Sequence, residues 1–381
     1  MVPEDQLCLL LARSRPTPEA GARACQLLAG ALAWDRVLEM VRVQEILPLF
    51  CRNLRRLGFP CVPPSIQTEL ADLYQRNALR NALLATELSR VLSLLAEAQV
   101  PAIPLKGTSL AESLFGDRGL RVCADLDILV SPKHFAEALK LLQGSGYEAG
   151  FTEPRMASLL ARYGKDCALM RQERDCTYPL QLHCGLIWGG PAERSLTTEI
   201  WLDIIPMAVH GVPAFALSPE WEFLYLAVHA ARHGFSPLKW LVDLDELSCR
   251  NAIDWGKVKE RARRLGWEWA VQSSLSACSG LLETRLPAVF ARPATPMSAR
   301  YPAAHSSAFQ IPREALFAIR LLNSRSQRLR FLAIRLFIPT PADGAWLPLP
   351  SQLFFLYYVL RPLRLIWVMA GWSVRAGQKK R

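Results

Sequence analysis

Two aspartates, Asp125 and Asp127, stand two residues apart at an apolar run, Leu126-Asp127-Ile128-Leu129-Val130. The run is rich in β-formers and predicts a buried strand. Side chains alternate faces along a strand, so both carboxylates project from one face. Held that close, they repel each other and lose water. A divalent cation answers both problems, and Mg²⁺ prefers a few carboxylates completed by substrate phosphates. Upstream, a second apolar run over residues 100–105 ends at Lys106-Gly107-Thr108 and opens residues 109–115, which read as a short helix. A Gly-Thr turn at a helix N-terminus offers backbone N–H groups and a hydroxyl to an anion. Strand, anion-binding turn, helix and a strand bearing Asp-x-Asp together suit the movement of a nucleotidyl group.

Each residue also has a plainer reading. The aspartates can be surface groups on an edge strand, although the flanking Leu126, Ile128, Leu129 and Val130 argue for burial, where unpaired carboxylates are costly. Lys106 is either a solvated strand-end lysine or a positive charge on a triphosphate. Gly107 relieves a tight turn or lets phosphate approach the backbone. Thr108 is an N-cap or a phosphate contact, and Ser109 is a weaker candidate for the same role. Arg121 lies four residues before Asp125; on a continuous strand it faces the same side, to pair with an aspartate or to reach the phosphates.

These residues resemble the polymerase-beta-like nucleotidyltransferase superfamily, most closely its bacterial family of uncharacterised nucleotidyltransferases. The resemblance rests on Leu105-Lys106-Gly107, on Arg121 followed by Asp125-Leu-Asp127-Ile-Leu-Val130, and on Leu142 followed by Gly146-Tyr147. Weaker matches are Leu182-His183, the His229 region followed by Trp240-Leu-Val-Asp243, and the tail from Leu356 through Arg361 to Arg364. It implies an α+β fold: a small mixed-sheet nucleotidyltransferase-like core over residues 98–190. Helical regions flank it at 1–97 and 191–335, and 336–381 form a Pro-rich segment and an amphipathic apolar helix. It also implies transfer of an NMP unit from an NTP to an acceptor, with Mg²⁺ or Mn²⁺ held by Asp125 and Asp127. Such sites use a third carboxylate on a neighbouring strand. The resemblance places it just before Leu182-His183, where this chain has Gln181. A neutral amide can contact a metal weakly but takes no proton, so a catalytically weakened nucleotide-binding or regulatory protein is the alternative. Asp166 and Asp175 lie nearby, out of the expected register. His183 either orients a ligand or is structural.

His229 and His233 are four apart, on one helix face; packing or substrate contact suits them better than metal. Asp243-Leu-Asp245 repeats the Asp-x-Asp spacing inside a helical pattern, where residues two apart do not share a face.

Composition frames these expectations. The chain has 381 residues, is 51% hydrophobic and 21% charged, and carries a net charge of +11. It is globular, not disordered, and its basic balance suits nucleotides, anionic lipid or nucleic acid without choosing among them. Ten cysteines show no Cys-x-x-Cys pair or zinc-finger spacing, which predicts reduced core residues. The N-terminus lacks a secretory pattern, so a cytoplasmic protein is expected. Residues 65–99 predict a long helix, and 147–149, 167–170 and 179–183 predict strands. Residues 191–335 predict helices, with a loop over 288–307. The apolar segment 353–372 is interrupted by Arg361, Pro362 and Arg364, which argues against a membrane span. It suits either an interfacial helix at the inner membrane face or a helix packed on its own domain or on a partner. The base, the acceptor and the oligomeric state are not legible.

Overall fold

The computed structural model describes residues 1–151, 153–187, 194–250, 252–290, 317, 319–322 and 324–378. The chain forms two compact units, each threaded by three stretches of sequence. Met1–Ser93, Ile103–Asp127 and Asp203–Phe317 build the first; Leu94–Ala102, Ile128–Leu202 and Ala318–Arg381 build the second.

The chain begins with α1 (Pro3–Leu10), α2 (Pro18–Leu28), α3 (Trp34–Val43), α4 (Leu47–Arg56) and α5 (Pro64–Glu97). Their starts follow local rules. Pro18 occupies the first turn of α2 while the Thr17 hydroxyl accepts from Ala20 N at 3.2 Å, satisfying a donor the helix leaves orphaned. Helix α5 runs 34 residues because no Gly or Pro interrupts it after Pro64.

Next come β1 (Ala102–Pro104), α6 (Gly107–Phe115) and β2 (Leu126–Val130). All five β2 residues are buried, which explains its nearly unbroken apolar sequence. Strand β2 spans the expected run, Leu126–Val130, and Asp125 lies just before it. Residues 121–125 form no strand, so Arg121 is not on a continuous strand with Asp125.

The second unit continues with α7 (Phe135–Gly144), β3 (Glu148–Ala149), α8 (Pro154–Tyr163), β4 (Asp166–Glu173), β5 (Cys176–His183) and α9 (Arg194–Leu202). Strands β4 and β5 pair antiparallel from Asp166↔His183 to Glu173↔Cys176, and β3 pairs antiparallel with β4. The five-stranded mixed sheet has the order β1-β2-β5-β4-β3. The fold is α+β, as expected.

In the first unit, β6 (Ile205–Val209) and β7 (Val212–Ala216) precede α10 (Pro219–Arg232), α11 (Lys239–Ser248), α12 (Trp255–Leu265) and α13 (Glu268–Leu282). The β6–β7 hairpin corrects the expectation of helices alone over 191–335. Its two-residue turn, His210-Gly211, has φ of +50° and +81°, the twist that suits tight hairpins. Each strand carries a proline, which disguises it, but a two-stranded sheet has only edge strands, where proline is tolerated. His210 tethers the turn through Ser89 Oγ at 3.0 Å and Glu112 Oε2 at 2.9 Å.

The second unit closes with α14 (Arg325–Phe337), α15 (Pro341–Trp346) and α16 (Tyr357–Gln378). Most of the segment expected as a loop, 291–307, lies outside the described residues. The cysteines are all free; six are buried, whereas Cys61 and Cys249 are exposed.

Candidate active site

In the first unit the Lys106-Gly107 turn packs directly onto the lead-in to β2. Lys106 caps α6 in an extended conformation, and Gly107 has a φ of +72°, which L side chains rarely adopt. A Cβ built on Gly107 would sit 3.3 Å from the Asp125 carbonyl oxygen. Leu105 N donates to Asp127 O at 2.9 Å, tying the two segments together. Geometry thus requires a glycine here twice, for conformation and for space.

The charges follow from this packing. Lys106 Nζ lies 3.2 Å from Asp127 Oδ2, and both side chains are largely buried. Burial, and next the charge of Asp127, push the Asp125 carboxyl above its ordinary value; Lys106, Lys239 and Arg121 pull against them. The Thr108 hydroxyl is fully buried and has no hydrogen-bond partner among the described residues. Ser109 is buried in the same turn. The first N–H groups of a helix have no intrahelical partners, so α6 aims donors and a positive dipole end from this turn.

Residues that sequence reasoning did not single out hold the segment entering Asp125. Asn77 Nδ2 donates to Gly119 O at 2.8 Å and Arg121 O at 3.3 Å. Asn81 Nδ2 donates to Arg118 O at 2.5 Å and Arg121 O at 2.7 Å. Arg80 donates to Ala124 O at 3.3 Å. Lys239, at the start of α11, donates to Val122 O at 3.1 Å and pairs with Glu45. These side chains satisfy carbonyls that a strand ladder would otherwise use. The one available signal was the pair of asparagines four apart in α5, poor helix formers that share a face.

Arg121 is buried and forms a two-pronged pair with Asp243: Nε to Oδ1 at 3.0 Å and Nη2 to Oδ2 at 2.9 Å. Its pKa lies above the ordinary value: burial opposes the charge, and Asp243 more than restores it. Asp243 sits on helix α11, as the spacing argument expected, and Asp245 instead accepts from Arg13 and Thr284. The rings of His229, His233 and Trp240 pack against one another tilted or edge-on, with centroids 4.6 to 4.8 Å apart.

The structure therefore brings Lys106, Gly107, Asp125 and Asp127 together, with Arg121 and Lys239 close enough to act on Asp125. In the second unit, Gln181 pairs with Ala168 across β4–β5 and is half-buried. His183 is buried, with Nδ1 3.8 Å from Asp166 Oδ2, while Lys165 Nζ lies 2.8 Å from the same oxygen. Asp175 is exposed in the β4–β5 turn. Among the described residues, no group of three His, Cys, Asp or Glu side chains is arranged to hold a metal.

The family model described as "Uncharacterised nucleotidyltransferase" matches residues 30–283. The chain belongs to that family. The match spans Lys106, Gly107, Asp125 and Asp127. Comparison with curated proteins found no match. A solved structure, described as an antigenic nucleotidyltransferase-like protein from Paracoccidioides brasiliensis, aligns at 16% identity over 52% of this chain and 96% of its own. Its TM-score of 0.32 marks a loose likeness from which nothing further follows.

Proposed function

We propose that the chain is a Mg²⁺- or Mn²⁺-dependent nucleotidyltransferase that moves an NMP unit from an NTP to an acceptor hydroxyl or phosphate. The observation that carries this reading is the Lys106-Gly107 turn seated on Asp125 with Lys106 beside Asp127. An anion-binding helix start and a carboxylate pair thereby share one small space.

Asp125 and Asp127 would hold the cation. A hard divalent ion would offset the burial and the mutual repulsion that push the Asp125 carboxyl up. When bound, that ion supplies charge neutralisation at the phosphoryl oxygens. The chain's own groups do the rest. First-turn N–H groups of α6 and the Lys106 ammonium bind the phosphates of the leaving group. The Thr108 hydroxyl, buried without a partner, gains one in a phosphate oxygen. Asn77, Asn81 and Lys239 fix the 118–124 segment, and Arg121 anchors it to Asp243; these are positioning residues. The acceptor oxygen bonds to the α-phosphorus as the bond to the bridging oxygen breaks. Pyrophosphate leaves with the electron pair of the broken bond, and a hydroxyl acceptor gives its proton to solvent.

Calorimetry with each NTP and Mg²⁺ tests the assignment. Asp127→Asn should weaken binding by at least about tenfold through loss of one charged ligand. Equal affinity in the two proteins would remove Asp127 from the site.

A second reading is favoured by Gln181 and by the lack of a three-ligand cluster among the described residues. In it the chain binds a nucleotide and regulates a partner without turnover. NTP affinity without pyrophosphate release, and a Gln181→Glu variant that gains release, would select this reading.

A further inference from the structure

We infer that the C-terminal helices of the second unit bind the surface of an anionic lipid bilayer, lying on it without crossing. The inference stands apart from the nucleotide reading and rests on three observations.

Over residues 358–367, helix α16 turns its arginines inward and apolar side chains outward. Arg361 is buried and donates to Arg335 O at 2.9 Å, Thr340 Oγ1 at 2.7 Å and Asp343 Oδ2 at 2.7 Å. Arg364 Nε donates to Asp343 Oδ1 at 2.5 Å. The two arginines that interrupt the apolar sequence are thus turned inward and knit α14, α15 and α16 together. The opposite face carries Val359, Leu363, Ile366 and Trp367, which are 66%, 55%, 64% and 65% exposed. Their spacing makes one continuous stripe along the helix. A soluble helix shows the reverse arrangement.

The stripe does not stand alone. On α14, Leu329, Leu332, Leu336 and Phe337 are exposed at helical spacing. The exposed Trp346 ring of α15 lies 6.4 Å from that of Trp367, so the α15 and α16 faces adjoin. Adjoining exposed apolar faces such as those of α15 and α16 mark interaction surfaces.

Charge selects the occupant. Residues 319–381 hold eleven Lys and Arg and one acidic residue, Asp343. The other 318 residues hold 34 basic and 33 acidic side chains, so this stretch carries nearly all of the chain's net +11. Asp343 is itself spent on Arg361 and Arg364. A second copy of this chain would set like charges face to face, and a nucleic acid would leave the aliphatic stripe in water. An anionic bilayer takes both: basic groups meet headgroups, and Leu, Ile and Trp enter the acyl boundary. Among the described residues no helix is long and apolar enough to cross a membrane.

The test uses the full chain and vesicles of phosphatidylcholine with or without roughly a quarter phosphatidylglycerol. Sedimentation with the anionic vesicles, much weaker with neutral ones and reduced by salt, is expected. Leu363→Glu/Ile366→Glu changes exposed residues only. It should weaken binding by at least about tenfold and leave the melting temperature unchanged. Arg325→Glu/Arg328→Glu should remove the preference for anionic lipid. Absence of sedimentation with either vesicle, or equal sedimentation of the Leu363→Glu/Ile366→Glu protein, overturns the inference. So does a dimer in solution that the same two substitutions dissociate, which would assign the face to a second copy.

Discussion

Gly107→Ala separates what the turn does for folding from what it does for nucleotide. Two costs can be worked from the structure. An alanine in the left-handed region costs about 1–2 kcal/mol. The added Cβ also meets Asp125 O at 3.3 Å, so the neighbouring backbone must give by a few tenths of an ångström. Gly116 supplies the control: its φ is +68°, yet a Cβ there meets nothing within 4 Å among the described residues. Gly116→Ala therefore carries the conformational cost alone. Urea unfolding should show both variants destabilised by about 1–2 kcal/mol, with Gly107→Ala the lower of the two. Nucleotide binding should divide them. Shifting the turn spoils charge-assisted hydrogen bonds worth about 1.5–3 kcal/mol, which is a loss of roughly ten- to a hundredfold in affinity. Calorimetric titration with Mg²⁺ and an NTP should therefore find Gly107→Ala impaired and Gly116→Ala unchanged. If the two bind nucleotide alike, the turn is a folding device and the phosphate assignment is refuted.

Two more predictions concern the frame around the site. Arg121→Met leaves Asp243 buried without its partner and should cost about 3–5 kcal/mol; Arg121→Met/Asp243→Leu should recover most of it, and urea unfolding of the four proteins measures the coupling. Glu222 has its carboxyl pushed up to about 7 by burial, with Arg250 opposing. A raised carboxyl binds its proton more tightly in the folded state, so its stabilising contribution is full at acid pH and is lost as pH rises through 7. Glu222→Gln should accordingly unfold at higher urea than the wild type at pH 8 and lose that advantage near pH 4. An advantage that does not change with pH would assign the effect to packing.

What could be read from sequence was local. The apolar runs around Lys106-Gly107 and Asp127, the unbroken segment of α5 and the short strand segments at 167–170 and 179–183 each fix an element through residues adjacent in the chain. That residues 121–125 form no strand was not legible, because the carbonyls of that segment are held by Asn77, Arg80, Asn81 and Lys239, side chains distant in sequence. The partner of Arg121 is Asp243, 122 residues away, and only the folded chain brings them together. The β6–β7 hairpin hid behind its prolines. The apolar tail was legible as amphipathic, but which way its arginines turn depends on Asp343 and on the α14 carbonyl of Arg335.

Nucleotidyl transfer itself is the claim to test most directly. Purified protein would be incubated with each NTP labelled at the α-phosphate, with Mg²⁺ or Mn²⁺ and a cell lysate as the source of acceptor. Asp125→Asn/Asp127→Asn protein would run beside it. The account predicts a labelled product with wild type alone, whose migration identifies the acceptor as protein, RNA or small molecule. Label appearing equally with both proteins, or with neither while both bind NTP alike, would contradict it.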